Sequence, residues 1–159
     1  SEPFSVTKSF LKKLYALPEG AKVISVGTTS TRSLESLYYA GLQCYKDGVE
    51  EWVPRCVGQW DPYQENPDIS TKESIKSLLD YMEYNNLEIL NLRTQIIIVP
   101  SYRFRVVDIL VTNFHQPQST LLLLISAFVG GESWRDIYKF AMENGFRFLS
   151  YGDSSMLVR

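Results

Sequence analysis

The feature that most constrains the fold is a polar loop between two apolar runs, VTNFHQPQST at Val111–Thr120. The run before it is rich in β-branched residues, and the run after it, Leu121–Val129, is largely apolar. Because Pro117 biases the residue before it towards extended geometry, we expect the helix to begin after it, with Ser119 or Thr120 as its cap. This order of strand, polar loop and helix N-terminus is where open α/β sheets bind ligands.

The loop holds the only histidine of the chain, His115, among side chains that form hydrogen bonds. These neighbours are Thr112, Asn113, Gln116, Gln118, Ser119 and Thr120. His115 has two interpretations, a proton-transfer or binding residue and a structural hydrogen-bonding residue beside a proline turn. The hydroxyl side chains likewise have a second interpretation as helix caps.

A second strand, hydroxyl-rich loop and helix follow one another nearer the N-terminus. Lys22–Gly27 is typical of a short, mostly buried strand, and the helix after it is expected to end at Gly41 as its C-cap. Gly27 lets the backbone approach a ligand closely, and Thr28 and Thr29 supply hydroxyl donors. The sequence GTTSTRS lacks the Gly-Lys-Ser/Thr ending of a P-loop, so it does not predict that nucleotide site.

Three arginines are candidate contacts for anions. Arg32 lies in the first turn of its helix, where the helix dipole disfavours a cation, so a bound anion or an ion pair with Glu35 would explain it. In Tyr102–Arg105, alternation puts Arg103 and Arg105 on one face of a predicted strand. These two form a local basic patch or are solvated side chains of an edge strand.

Composition limits the classes of protein to which the chain can belong. A length of 159 residues predicts one domain, and a net charge of −2 provides no global basic field for nucleic acid. Cys44 and Cys56 lack metal-ligand spacing and are expected to be reduced thiols. The longest apolar run is too short to cross a bilayer, and no signal peptide opens the chain, so we expect a cytoplasmic protein.

The remaining periodicities predict alternating helices and strands. Helices are predicted over Thr7–Leu17, over Ser70–Tyr84 with a capping box, and from Ser133 to Gly145, and strands over Thr94–Val99, Phe146–Tyr151 and Met156–Val158. Residues 44–68 are irregular and aromatic, which suits loop packing better than stacking on RNA bases. The alternation predicts an α/β fold with a largely parallel sheet and flanking helices.

Four stretches together carry a family resemblance. They are VISVGTTSTRSLES (Val23–Ser36), SYRFRVVD (Ser101–Asp108), VTNFHQPQSTLLLLISAF (Val111–Phe128) and FRFLSYGD (Phe146–Asp153). In this order they resemble the C-terminal part of the S-adenosylmethionine:tRNA ribosyltransferase-isomerase family of queuosine biosynthesis. The resemblance implies that residues 1–159 are a single α/β domain, part of an α/β barrel, from an enzyme whose N-terminal half and β-barrel domain are absent here. Residues of about 44–92 look like a family-variable insertion.

The sequence departs from the family pattern at four places. Gln116 and Gln118 stand where the family motif TNFHLPKST has Leu and Lys, so one phosphate contact is in doubt. Ser101 replaces the usual Gly before the YRF-type motif. Ser154 and Ser155 stand where the family commonly has a single small residue.

The resemblance implies a reaction. The family moves the ribosyl part of S-adenosylmethionine onto 7-aminomethyl-7-deazaguanine in the tRNA anticodon and isomerises it to epoxyqueuosine. S-adenosylmethionine is then a co-substrate, tRNA is the partner, and no metal is expected. The alternative is a tRNA- or nucleotide-binding α/β module without catalysis of its own. Exposed sheet edges of such a fragment are expected to be covered by rearrangement or by self-association.

Candidate roles follow from what this reaction needs. His115 is the first candidate for proton transfer, and Asp108 and Asp153 are the runners-up, although each carboxylate has a structural interpretation as well. The residues expected to bind substrate are Gly27, Thr28, Thr29, Arg32, Arg103, Arg105, Thr112, Asn113, Ser119 and Thr120.

Overall fold

A computed structural model describes all 159 residues as a mixed α/β protein with two small sheets and five α-helices. In chain order the elements are β1 (Glu2–Thr7), α1 (Lys8–Tyr15), β2 (Ile24–Val26), α2 (Thr28–Asp47), a 3-10 turn (Asp61–Tyr63), α3 (Thr71–Tyr84), β3 (Ile89–Thr94), β4 (Ile109–Asn113), α4 (Leu121–Val129), α5 (Ser133–Glu143) and β5 (Ser154–Val158).

The chain divides into two compact units. The first comprises residues 1–21 and 33–96, and the second comprises residues 22–32 and 97–159. The interpretation of residues 1–159 as one domain, and of residues 44–92 as a family-variable insertion, stays a prediction.

The first unit is built on an antiparallel pair of strands that the sequence did not fully reveal. β1 pairs with β3 along its whole length, from Glu2 opposite Thr94 to Thr7 opposite Ile89. The strand predicted over Thr94–Val99 is therefore displaced, because β3 ends where that prediction begins. At this end the Thr94 hydroxyl accepts the N–H of Ile96 at 3.0 Å, which turns the chain away from the ladder.

Two helices of the first unit begin as their capping residues predict. Thr7 accepts the N–H of Phe10 at 3.1 Å ahead of α1. The capping box before α3 is complete, since the Ser70 hydroxyl accepts the N–H of Glu73 at 3.1 Å and the Glu73 carboxylate accepts the N–H of Ser70 at 2.7 Å. Local side chains thus fix both helix starts.

The prediction that Gly41 ends α2 is wrong, because the helix continues to Asp47. Gly41 is a packing residue instead, and a Cβ atom there would lie 2.1 Å from the Ser74 hydroxyl and 2.3 Å from the Ser74 carbonyl oxygen on α3. The Ser74 hydroxyl donates a 2.6 Å hydrogen bond to the Tyr38 carbonyl. Glycine here serves close helix packing rather than termination.

The second unit is organised around a three-stranded sheet in the order β2-β4-β5. β2 runs parallel to β4, from Ile24 opposite Ile109, whereas β5 runs antiparallel to β4, with Ser154 opposite Asn113. The prediction of a largely parallel sheet is therefore wrong, and the sheet is mixed. The reason is geometric: β5 starts at the edge of the sheet where β4 ends, so the chain never crosses back as a parallel strand requires.

Two aromatic stretches that were predicted as strands are irregular. Residues 102–105 and 146–151 form no sheet ladder. Tyr102 and Phe104 are buried and pack edge to face at 5.0 Å, so the predicted alternation of faces is present without the strand. In the later stretch Phe146 and Phe148 contact Phe114 instead of pairing with a strand. Aromatic packing explains both patterns.

The sheet of the second unit has one buried face and one exposed apolar face. Ser25, Leu110 and Leu157 lie in register across the buried face. The opposite face carries two rows of apolar side chains, Ile24, Ile109 and Val158 in one row and Val26, Val111 and Met156 in the other. The outer strands of this face are exposed, so the prediction that β2 is mostly buried holds only for Ser25.

None of the helices is long and apolar enough to cross a membrane.

Cys44 and Cys56 are both free thiols, as predicted, and burial raises the pKa of Cys44 to about 12. A thiol with such a pKa is protonated at neutral pH and unreactive.

Candidate functional site

The candidate site lies where β2 and β4 end side by side. Because these strands are parallel, their carboxyl ends meet at one edge of the sheet. The Gly27 N–H donates to the Val111 carbonyl at 2.8 Å, which joins the loop after β2 to the last residues of β4. Thr112, Asn113 and His115 follow directly. The two polar loops that the sequence singles out are thus brought together.

The loop after β2 is held in a conformation that favours glycine. Gly27 has a φ of +92°, a region that side chains strain. Its carbonyl accepts the N–H of Thr31 at 3.1 Å, and the Thr31 hydroxyl lies 2.9 Å from both this carbonyl and the Ser25 hydroxyl. α2 therefore starts at a fixed position with Thr29 exposed in its first turn, where backbone N–H groups lack helical partners.

His115 is held by its ring and by its backbone. Its Nε2 lies 3.1 Å from the buried Thr112 hydroxyl. Its backbone N–H donates to the Tyr138 hydroxyl at 2.9 Å. The side chain is partly exposed, and these contacts engage Nε2 of the ring but not Nδ1. When Nε2 carries the hydrogen and donates it to Thr112, Nδ1 is an unprotonated acceptor.

Burial sets the charge of this imidazole. The pKa of His115 is lowered from its ordinary value because desolvation disfavours the charged ring. At neutral pH the side chain is therefore uncharged, which is the form that accepts a proton.

An aromatic cluster around Phe114, the residue before His115, packs against the histidine loop. Phe114 is buried, and its ring centroid lies 5.3 Å from that of Tyr138, 5.7 Å from Phe146 and 5.5 Å from Phe148. The Leu149 N–H donates to the Phe114 carbonyl at 2.9 Å. Sequence reasoning missed the role of Tyr138 at the site.

The segment after His115 is a proline turn that leads into α4. The Ser119 N–H donates to the Gln116 carbonyl at 3.2 Å, and Gln118 has a φ of +73°, which with Pro117 before it describes a type II turn. The Ser119 hydroxyl accepts the N–H of Leu121 at 3.2 Å, so it supplies the predicted cap, whereas Thr120 makes no side-chain cap bond.

The two candidate carboxylates lie at opposite ends of the sheet. Asp153 precedes the residue that pairs with Asn113, and its carboxylate accepts the Arg147 N–H at 2.7 Å. Asp108 accepts the Val23 N–H at 2.9 Å at the other end of β4. The length of β4, about 16 Å, separates Asp108 from the site. The geometry therefore groups Asp153 with His115 and leaves Asp108 away from it.

The arginines have different positions. Arg32 is partly buried in α2, close after the Gly27 loop, whereas Arg103 is exposed and Arg105 partly buried in the irregular stretch ahead of β4. The roles of all three in binding stay predictions. Ser101, where the family pattern has glycine, has a φ of +87°, which explains the preference for glycine at this place.

Comparison with known proteins assigns this chain to a protein family. The family model described as queuosine biosynthesis protein matches residues 1–158. The chain belongs to this family.

Relatives within the queuosine biosynthesis family agree along the chain. The S-adenosylmethionine:tRNA ribosyltransferase-isomerase of Burkholderia cenocepacia is 37% identical over 160 aligned residues, which is 100% of this chain and 34% of that protein. The protein of the same name from Agrobacterium fabrum is 62% identical over 66 residues, or 42% of this chain and 18% of that protein. This chain thus spans about a third of the length of the Burkholderia relative.

A solved structure has the same fold. The crystal structure of S-adenosylmethionine tRNA ribosyltransferase from Thermotoga maritima superposes with a TM-score of 0.66 and 28% identity. The match covers 99% of this chain and 41% of that one.

The charge state of His115 can be measured directly because the chain has no other histidine. We expect the C2 proton of His115 to titrate below pH 6.5 in the folded chain, since burial lowers the folded pKa. In urea it should titrate near pH 6.5, the ordinary value of a histidine. Because the unfolded chain then binds the proton more readily, stability should be full above pH 6.5 and fall as the pH drops towards the folded pKa. Proton NMR over pH 4–8 tests this, and a folded midpoint at or above the urea value would contradict it.

Proposed function

We propose that this chain is the C-terminal part of an S-adenosylmethionine:tRNA ribosyltransferase-isomerase. The observation that carries the proposal is the alignment of the whole chain with a relative of that name at 37% identity. The reaction would move the ribosyl group of S-adenosylmethionine onto 7-aminomethyl-7-deazaguanine in tRNA and isomerise it to epoxyqueuosine. S-adenosylmethionine is the co-substrate, and the proposal assigns no step to a metal.

Three proton transfers are needed for such a reaction. The sulfonium acidifies the adjacent ribose carbon, so a base must remove a proton there, while the attacking amine loses a proton and the leaving adenine gains one. His115 suits the first of these tasks because it is neutral and its contact with Thr112 engages Nε2, which leaves Nδ1 to accept the proton. Thr112 orients the ring through Nε2. Asp153 is the second candidate for an acid or base at this edge, although its carboxylate already accepts the Arg147 N–H.

The loop after β2 suits the anionic part of the co-substrate. The methionine carboxylate needs N–H donors, and the first turn of α2 offers them beside Thr28, Thr29 and Arg32. Gly27 brings this backbone next to β4 through its hydrogen bond to Val111. Asn113, Ser119 and Thr120 lie on the facing loop, where we propose that they orient the ribose and the base.

The tRNA anticodon is the proposed partner of the complete enzyme. Its phosphates need local cations, because the chain as a whole has a net charge of −2. Arg103 is exposed and Arg105 is partly buried ahead of β4, and both are proposed as phosphate contacts.

We also propose that the exposed apolar face of the β2-β4-β5 sheet belongs to the core of an α/β barrel that the complete enzyme closes. Its six paired side chains are all apolar, from Ile24 to Val158, which is unusual for a solvated sheet face. Strands from elsewhere in the longer enzyme would bury this face and complete the pocket at its edge.

A charged substitution on the exposed face of the β2-β4-β5 sheet tests whether the complete enzyme buries that face. Met156→Glu should cost the complete enzyme several kcal/mol of stability, about the penalty for burying an unpaired carboxylate, and should cost this chain alone little. Met142→Glu is the matched control, because Met156 is 65% exposed and Met142 on α5 is 61% exposed here. Urea unfolding, with sedimentation to detect self-association of the chain, provides the measurement. Equal, small costs of Met156→Glu in both proteins would contradict the barrel proposal.

The catalytic assignment predicts a specific loss of rate. In the complete enzyme, His115→Ala should lower kcat by about a hundredfold or more, because it removes the proposed base. Gln116→Ala, which changes an exposed neighbour in the same loop, should leave kcat nearly unchanged.

The readout is adenine release and epoxyqueuosine formation in tRNA, followed by mass spectrometry. Near-full activity of His115→Ala would remove the histidine from the mechanism. Salt-sensitive tRNA binding without any turnover by the unsubstituted enzyme would favour the alternative, a binding module without catalysis of its own.

A further inference from the structure

Tyr151 is the most exposed of the large apolar and aromatic residues, with 98% of its surface open to solvent. It lies in the loop between α5 and β5. At this exposure its ring adds almost nothing to the packing of the protein. A single exposed aromatic side chain is ordinary on a protein surface, so exposure alone assigns it no role. The position and the closure of its loop do.

Two contacts place Tyr151 at the edge of the sheet that carries His115. The Leu149 N–H donates to the carbonyl of Phe114, the residue before His115, at 2.9 Å. β5 then begins three residues after Tyr151, opposite the last residue of β4. Because only two residues separate Tyr151 from Leu149, their Cα atoms lie within about 7 Å of each other. The tyrosine and the histidine loop also belong to the same compact unit.

The loop that carries Tyr151 is closed by its own hydrogen bonds. The Asp153 N–H donates to the Arg147 carbonyl at 2.8 Å, and the Arg147 N–H donates to the Asp153 carboxylate at 2.7 Å. The Gly152 N–H donates to the Leu149 carbonyl at 2.9 Å. A Cβ atom at residue 152 would lie 2.3 Å from the Arg147 carbonyl oxygen, so the loop closes only around glycine. The backbone of Tyr151 is therefore in place before a ligand binds, which reduces the entropic cost of binding.

The same loop contains an unfavourable backbone conformation. Leu149 has a φ of +71°, although it is not glycine. Such a conformation persists only where its surroundings impose it. Here the hydrogen bond to Phe114 and the packing of Phe148 on the Phe114 ring, with centroids 5.5 Å apart, impose it. These contacts bring the residues that follow next to the histidine loop.

Arg147 is a cation of this edge that sequence reasoning did not single out. Its side chain is exposed, and its Nη2 lies 3.7 Å from the Asp153 carboxylate, which is too far for a hydrogen bond. The guanidinium therefore keeps N–H donors for an anion such as a phosphate. The Asp153 carboxylate offsets part of its charge, so an aromatic contact would supply more of the affinity here than the arginine.

The proposed reaction brings a flat base to this edge. The amine of the modified base attacks the ribose on which His115 is proposed to act, so that base must reach the His115 loop. Unpaired RNA bases bind proteins by stacking on aromatic side chains. The adenine of S-adenosylmethionine is a second flat group. However, this co-substrate carries no phosphate and its sulfonium is a cation, so Arg147 favours the RNA.

We propose that Tyr151 stacks on the tRNA base that is modified, while Arg147 contacts a neighbouring phosphate. The inference rests on the proposed function for the identity of that base. Stacking would hold the attacking amine in place beside the co-substrate, so Tyr151 is a binding residue that takes no part in proton transfer.

The test is a double-mutant cycle in the complete enzyme at fixed salt, which pairs Tyr151→Ala with removal of the base. The Kd is measured for tRNA that carries 7-aminomethyl-7-deazaguanine and for the same tRNA with an abasic nucleotide at that position. Tyr151→Ala should raise the Kd for the intact tRNA about tenfold, since stacking of one base has about that effect. It should leave the Kd for the abasic tRNA nearly unchanged, because no base remains to stack.

Three further variants act as controls. Tyr151→Phe keeps an aromatic face and should restore most of the affinity. Tyr84→Ala removes another exposed tyrosine and should bind both tRNAs as the unsubstituted enzyme does. Arg147→Gln should weaken both tRNAs by the same factor, because a phosphate contact does not depend on the base. The Tm and the KM for S-adenosylmethionine should not change with Tyr151→Ala, since the side chain is exposed and is assigned to the RNA.

The inference is overturned if Tyr151→Ala binds both tRNAs as Tyr84→Ala does. It is also overturned if Tyr151→Ala weakens both tRNAs equally, since the ring would then contact another part of the RNA. A raised KM for S-adenosylmethionine with an unchanged Kd for tRNA would overturn it as well, because the ring would then serve the adenine.

Failure of the proposed function gives a different result. An enzyme that lacks turnover but shows coupling between Tyr151 and the base would lose the catalytic proposal and keep this one. Normal turnover without that coupling would do the reverse.

Discussion

The parallel pairing of β2 with β4 is the interaction on which the site depends. Three residue pairs align the strands, and the hydrogen bond from Gly27 to Val111 extends that alignment past the end of β2. It brings a hydroxyl-rich helix start and the His115 loop to one edge, although nearly ninety residues separate them in sequence. Without this pairing the chain would hold two polar loops and no shared pocket wall. The chemistry at this edge follows from strand direction.

Packing beneath the edge determines the chemistry of the histidine. The aromatic cluster around Phe114 and the hydroxyl of Tyr138 hold the loop, and the resulting burial lowers the pKa of His115. The same sheet has an apolar face whose outer strands are exposed. The sheet that carries this edge is therefore covered on one face only. A pocket wall and a barrel core would be completed by the same additional strands, which links stability to substrate binding in the proposed enzyme.

Sequence predicted best what short-range chemistry decides. The capping box at Ser70, the start of α1 at Thr7 and the proline turn before α4 all depend on neighbours within four residues, and all were confirmed. The position of His115 after β4 was also predictable, because a polar loop between apolar runs marks the end of a strand.

Features that depend on distant partners were not predictable from local pattern. Gly41 resembles a C-cap in sequence, yet its role is set by Ser74 on another helix. The alternating aromatics at Phe146 suggest a strand, but their partner is Phe114 and not a ladder. Asp108 has a carboxylate that could serve as a catalytic acid or base. Only the register of β4 shows that it lies far from His115.

The most direct test of the central claim is calorimetric titration of S-adenosylmethionine into this chain and into the complete enzyme. The account makes the edge at Gly27 and His115 one wall of a pocket, so it predicts binding by the complete enzyme that Thr28→Ala and Arg32→Ala weaken, and no measurable binding by the chain alone. Binding by the complete enzyme that is insensitive to both substitutions would contradict it, because the co-substrate would then lie away from this edge.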